Sequence, residues 1–204
     1  GGTVRALDDV TLDVEGGSSV AIVGPSGCGK STLLGLIGAL DVPTRGRVTI
    51  GDVEVSAMAE RDRAGLRRQV VGFMFQSDNL MPFLSVVENV AFQVALDGAA
   101  DGYERCLVLL DRLGLATEVD VRLDLLAGGP RQRVSGARAL SHEPSVSRAD
   151  EPTGALDSDN SATVIDLLLA AQSELGATLV MVTHDPEAAA RMDRGVTLRD
   201  GRLG

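Results

Sequence analysis

Apolar positions fall in short dense runs near both ends of the chain and in a helical period through its middle. Ser18 to Val23 (SSVAIV) is an apolar run that stops at Gly24-Pro25, the pattern of a buried strand delivered into a turn. Lys30 to Ile37 is Leu-rich and closes on Gly38, which predicts a helix directly after that turn. Pro43-Thr44-Arg45-Gly46 then marks a turn, and the alternation over Val48 to Val55 predicts hairpin strands. Val70 to Phe75 is a further strand candidate, ending at Gln76.

From Leu84 to Leu140 the period becomes helical. Cys106, Leu109, Leu110 and Leu113 share one face, with Asp101 placed to cap and Gly114 to stop, so this stretch reads as a helical insert. Thr163 to Leu175 predicts another amphipathic helix, with Val164, Leu168, Ala171 and Leu175 on one side and Gly176 as its stop. Thr178 to Thr183 (TLVMVT) is a run rich in β-branched residues, hence a strand. Strands alternating with helices imply an α/β class with a parallel sheet.

Composition narrows the functional classes. With 204 residues the chain suits one domain with an inserted subdomain. Acids outnumber bases 29 to 19, for a formal net charge of -10, and only four Phe and one Tyr are present. Electrostatic capture of nucleic acid and base-stacking grooves are therefore not expected. Cys28 and Cys106 lack CxxC spacing and cannot build a disulfide scaffold or a four-ligand zinc site, which points to a reducing compartment. The longest uncharged apolar stretch, Leu33 to Leu40, is far short of a membrane span, and Gly1 to Val20 lacks a signal-peptide pattern. The chain opens on Gly1 rather than Met, so trimming is expected at that end.

The chemistry concentrates in three places. Gly24-Pro25-Ser26-Gly27-Cys28-Gly29-Lys30-Ser31-Thr32 fits GxxxxGK[ST] between a predicted strand and a predicted helix. Backbone N–H groups freed of side-chain bulk at Gly24, Gly27 and Gly29 can point at phosphate oxygens beside a helix N-terminus. Lys30 adds a full positive charge at the β and γ phosphates, and the Ser31 hydroxyl can ligate Mg²⁺. Second, Asp150-Glu151 closes a candidate strand, where Asp150 can hold the metal through water and Glu151 can polarise an attacking water. Alone, such a pair is more often solvated surface. Third, His184 follows an apolar strand, at the end where open α/β sheets bind ligands. His142, between Ser141 and Glu143, has no such placement and is expected at the surface.

With these motifs in order, the chain resembles the nucleotide-binding subunit of ABC transporters, most closely the lipoprotein-release and macrolide-export branch, over nearly its whole length. Gly72-Phe-Met-Phe-Gln76 with Asn79-Leu-Met-Pro82 and Val87-Glu-Asn-Val90 resembles the Q-loop and the segment that receives a permease's coupling helix. Leu126-Ala-Gly-Gly-Pro-Arg-Gln-Arg-Val134 stands where that family has its signature motif. Asp150-Glu-Pro-Thr-Gly-Ala-Leu-Asp157 resembles the Walker B end joined to the D-loop, and Val182-Thr-His-Asp185 the switch histidine.

The resemblance implies a phosphate-loop NTPase core (1–76 and 145–204) carrying a small antiparallel β subdomain, with a helical signature subdomain (77–144) inserted, all within one ATPase domain. It implies ATP and Mg²⁺ bound at the interface of a head-to-tail dimer, and a separate membrane permease as partner, with the chain peripheral on the cytoplasmic face. In that scheme Gly24 to Thr32 bind phosphates. Ser31, Gln76 and Asp150 organise Mg²⁺, Glu151 activates water and His184 steadies the γ-phosphate. Gly128 and Gly129 would present backbone N–H groups across the dimer, and Ala127 and Asp157 count among the nucleotide-binding positions.

Three departures qualify the match. The family's Leu-Ser-Gly-Gly-Gln reads Leu126-Ala127-Gly128-Gly129-Pro130 here, so a serine hydroxyl worth about 1.5 to 3 kcal/mol toward a charged group is missing. Pro130 falls in a helix's first turn and loses no needed donor, whereas Gly136 costs about 1 kcal/mol relative to Ala. Ser145 to Ala149 replaces the apolar run expected before Asp150, and Arg148 must there find an acid, reach solvent or loosen the strand. No aromatic residue precedes Phe73, which leaves a position upstream of Gly1 for the family's adenine-stacking side chain. Ala127 and Arg148 also motivate an alternative, a slow or non-hydrolysing ATP-responsive interaction module. A GTPase is disfavoured because no Asn-Lys-x-Asp occurs, and a DNA-repair or translation ATPase by the single cassette and the acidic charge.

Overall fold

The computed structural model describes residues 5–75, 79–96, 101–154 and 156–204. Strand β1 (Ser19–Val23) runs into helix α1 (Lys30–Ile37), followed by the two-residue strands β2 (Thr49–Ile50) and β3 (Val53–Glu54) and by α2 (Glu60–Val70). Strand β4 (Val71–Met74) precedes three helices, α3 (Val86–Ala95), α4 (Gly102–Arg112) and α5 (Gly128–Leu140). The chain then alternates through β5 (Val146–Asp150), α6 (Ser158–Leu175), β6 (Thr178–Val182) and α7 (Pro186–Ala190). It ends in β7 (Arg194–Arg199) and β8 (Arg202–Leu203).

Six strands form one sheet in the order β4-β5-β6-β1-β7-β8, parallel except for the β7–β8 hairpin, while β2 and β3 pair antiparallel by themselves. The sheet's residues divide between two apolar clusters according to the strand's two-residue period. Val20, Ile22, Val180 and Val182 pack with Leu33 and Leu34 of α1. Ala21, Met74, Ala149, Leu179 and Met181 face the other way, into the cluster built by α3, α4, α5 and α6. Helix α1 and helix α5 therefore cover opposite faces of one sheet.

Close approach of a neighbouring atom marks two glycines. A Cβ at Gly72 would lie 2.1 Å from the Ala139 carbonyl oxygen, so α5 seats on β4 only because that position has no side chain. A Cβ at Gly136 would fall 2.2 Å from Cδ2 of Leu168, a side-chain tip that must turn aside to admit it.

Several expectations change. The helix predicted from Thr163 starts at Ser158, because the Asp157 side chain accepts from the Asn160 N–H (3.0 Å) and caps it five residues earlier. The Val48 to Val55 hairpin shrinks to two paired residues per strand, after which the chain turns into a short 3-10 segment, Val55–Ala57. Asp101 occupies the N-cap of α4 without a side-chain capping bond, while Gly114 does take the left-handed conformation that stops the helix (φ 65°). His142 is half-buried rather than surface-exposed. Its neighbour Ser141 is buried at the C-cap of α5, donating to the carbonyls of Arg138 (3.0 Å) and Val90 (3.3 Å), and so draws that corner against α3.

Arg148 neither reaches solvent nor loosens the strand; an acid, Asp150, acts on its charge, but among the described residues no ion pair holds it. It stays in the strand at 4% exposure, and its guanidinium carbon lies 4.9 Å from the Phe73 ring centroid and 5.2 Å from that of Phe75. Aromatic faces, whose quadrupole attracts a cation, stand where a direct ion pair would be expected. Among the described residues no helix is long and apolar enough to cross a membrane.

Candidate active site

Strands β5, β6 and β1 are parallel neighbours, so whatever follows their C-terminal ends must converge. The phosphate loop follows β1, Asp150 ends β5 with Glu151 next, and Thr183-His184 follows β6.

In the loop, Pro25, Ser26 and Gly27 form an exposed crest while Cys28 turns inward and is buried. Gly27 (φ 78°) holds a backbone conformation that disfavours a side chain. Gly24 and Gly29 are glycines for lack of space, since a Cβ would lie 2.1 Å from the Leu198 carbonyl oxygen and 2.4 Å from that of Ala6, respectively. The Lys30 ammonium donates to the carbonyls of Gly24 (2.8 Å) and Pro25 (2.9 Å), which keeps its charge inside the loop. Ser31 and Thr32 are exposed on the first turn of α1.

The loop is braced from behind by a part that sequence reasoning missed. The Gly201 N–H donates to the Cys28 carbonyl (3.0 Å), and the Asp8 N–H donates to the Gly201 carbonyl (2.8 Å). The signal was present as the Asp200-Gly201 pair, a two-residue hairpin-turn signature.

Asp150 is half-buried, and burial pushes its carboxyl above the usual range. Arg148 opposes that shift, Glu151 adds to it and Lys30 opposes it. Glu151 has a left-handed backbone (φ 48°) fixed by its N–H to the Val182 carbonyl (2.9 Å). Its carboxylate meets His184 Nδ1 directly, and the Glu151 side chain is 15% exposed against 68% for His184. Beyond this pair, the Thr183 hydroxyl accepts from the Asp185 N–H (3.0 Å), and Asp185 caps α7. Gln76 lies outside the described residues.

The remaining candidates sit elsewhere. Ala127 is the exposed N-cap of α5 without a side-chain cap, and Gly128 and Gly129 are the helix's first residues, close to Leu156 and Asn160. A serine at Ala127 would restore a cap worth about 1 kcal/mol. Asp157, occupied in capping α6, stands beside this corner. Since α5 and α1 cover opposite faces of the sheet, Gly128 and Gly129 are not brought to the phosphate loop of their own chain.

The donor set fits a nucleotide with magnesium. The glycines leave open a cradle of main-chain N–H groups, Lys30 supplies the cation for phosphate, and the Ser31 hydroxyl and Asp150 carboxylate are hard oxygen donors. A mostly parallel sheet with this loop after its first strand defines a phosphate-loop NTPase cassette. The family model described as ABC transporter matches residues 7–154, and the chain belongs to that family.

Curated relatives include the lipoprotein-releasing system ATP-binding protein LolD of Legionella pneumophila (strain Lens). It is 43% identical over 203 residues, which span 98% of this chain and 89% of that protein. The macrolide export ATP-binding/permease protein MacB of Rhodospirillum rubrum is 46% identical over 202 residues, 98% of this chain but 31% of that protein. A solved dimeric structure of the ATP-binding cassette MJ0796, in a post-hydrolysis state bound to ADP and Pi, is 39% identical. Its TM-score is 0.86, with 97% of this chain and 88% of that one covered.

Proposed function

We propose that the chain is the ATP-hydrolysing subunit of a transporter, driving a separate permease through nucleotide-dependent head-to-tail pairing of two copies. The observation that carries this reading is the convergence of the phosphate loop, Asp150, Glu151 and His184 at three neighbouring strand ends, while Gly128 and Gly129 lie across the sheet. One copy offers the phosphate grip, and the signature corner it lacks is supplied by the other.

In this reading Lys30 and the amides of Gly24 to Thr32 hold the phosphates. Ser31 and Asp150, with Gln76, would hold magnesium, which would supply positive charge against the phosphates. Glu151 orients and deprotonates the attacking water, and His184, in contact with Glu151, fixes that carboxylate and faces the γ-phosphate. Ala127, Gly128, Gly129 and Asp157 of the second copy close the site. Placement beside a membrane partner follows the relatives' printed roles as transport components. The slow or non-hydrolysing alternative gains no support, since Arg148 leaves β5 paired on both sides and Glu151 and His184 are in contact.

The test is Glu151→Gln. The variant should bind ATP, lose turnover and accumulate as an ATP-loaded dimer by light scattering; turnover equal to wild type would remove Glu151 from its role.

A further inference from the structure

Arg148 has no part in the reaction as set out above, yet it is buried in the middle of β5, between β4 and β6. It lies opposite Phe73 in the β4–β5 register, and Phe75, just past the end of β4, brings a second ring to the same guanidinium. The two rings stack with centroids 6.0 Å apart and an interplanar angle of 14°, and the guanidinium sits over both. The end of α1 closes on the same spot, for a Cβ at Gly38 would lie 2.7 Å from Arg148 Cδ and 3.2 Å from Phe73 Cε1. The Arg148 Nε has no hydrogen-bond partner. Rings and a helix end, rather than a carboxylate, thus hold the side chain in place.

Successive residues of a strand point to opposite faces, so Arg148 and Asp150 share one face about 7 Å apart along β5. Each is felt electrostatically by the other. A buried cation whose charge is not neutralised by an ion pair is little screened from a carboxylate on the same face of its strand.

We propose that Arg148 is a resident counter-cation to Asp150, clamped by Phe73 and Phe75, that lowers the affinity of the site for the divalent cation accompanying the nucleotide. The inference rests on Asp150 being the carboxylate on the metal side. Guanidinium and metal then compete for one carboxylate, and an apolar residue at position 148 would remove the competitor. Arg148 acts through Asp150 and touches no reacting group, so it is a positioning residue, and a purely space-filling role would leave the cation dependence unmoved.

The experiment is a magnesium titration of ATP binding, followed by calorimetry on the full chain, with metal-free ATP binding as reference. Arg148→Met should lower the magnesium concentration at half-saturation by about five- to tenfold, the scale of removing one nearby like charge. Metal-free ATP affinity should not rise, since loss of a cation cannot strengthen the hold on an anion, and Arg148→Lys should behave as wild type. Arg148→Gln carries the same expectation as Met and keeps the test open should either neutral variant fail to fold. An unchanged or raised half-saturation in a folded neutral variant overturns the proposal. Absence of ATP uptake by the wild-type protein would instead overturn the reading of the site itself.

Discussion

His184 closes onto Glu151, its Nδ1 meeting a carboxylate oxygen across the ends of the neighbouring strands β6 and β5. Glu151 makes this contact from a left-handed backbone, a conformation that costs a non-glycine residue of order 1 to 3 kcal/mol and persists only where its surroundings enforce it. The enforcement comes from the Glu151 N–H to Val182 and from the Gly154 N–H to the Glu151 carbonyl (3.1 Å), not from the imidazole. His184→Ala is therefore expected to lower turnover by about a hundredfold while leaving stability within about 0.5 kcal/mol. Steady-state ATPase assays beside thermal melts check this.

Asp150 gives a pH-dependent signature. Burial raises its carboxyl in the folded chain, so folding takes up protons at this position. The stability it lends is complete below the ordinary carboxylate range and is lost as pH rises through the raised folded value. Asp150→Asn removes that loss. Without nucleotide, the variant should melt higher than wild type at pH 7 to 8, with the difference vanishing towards acid pH, and magnesium-dependent ATP binding should weaken. A variant melting below wild type at neutral pH would contradict the account.

Gly72 is a sharper structural test. Alanine there must displace the Ala139 backbone, not the tip of a side chain, because the approach is to a carbonyl oxygen. A cost of about 1 to 3 kcal/mol is expected for Gly72→Ala, read as an earlier urea midpoint at unchanged slope.

Asn89 holds the segment that precedes α3. Fully buried, it accepts from the Met81 N–H (2.8 Å) and donates to the carbonyls of Met81 (3.0 Å), Ser85 (2.9 Å) and Leu84 (3.4 Å). Phe83, on the stretch so clamped, is 66% exposed. Asn89→Ala strands several of these groups, and a loss of about 2 to 3 kcal/mol is expected. Proteolysis should then cut first near residues 81 to 85, and a cleavage pattern unchanged from wild type would count against the clamp.

What the sequence made legible follows from how local each signal is. Helix α1 lies within its predicted bounds and β1 within one residue, because a dense apolar run, a glycine turn and a closing glycine are all contiguous. Helix α2 carries no such signal: it buries none of its residues, and its Arg67 reaches the Ala39 carbonyl (2.7 Å) through a contact distant in sequence. The β7–β8 hairpin and the short α7 were missed for similar reasons, being brief elements whose purpose is to brace other parts. At the site, Lys30, Asp150, Glu151 and His184 stood out as residue types in motif spacing. The direct Glu151–His184 contact and the left-handed Glu151 required strand order. Arg148 looked misplaced because its partners, Phe73 and Phe75, are supplied by the β4–β5 register, which a one-residue slip would have abolished.

The placement of α1 and α5 on opposite sides of the sheet carries one last consequence. No hinge inside a single chain can swing one helix end through a hydrogen-bonded sheet to meet the other. On the proposed reading, dilution alone should silence the enzyme: specific activity would climb with protein concentration and level off once nearly every molecule has found a mate.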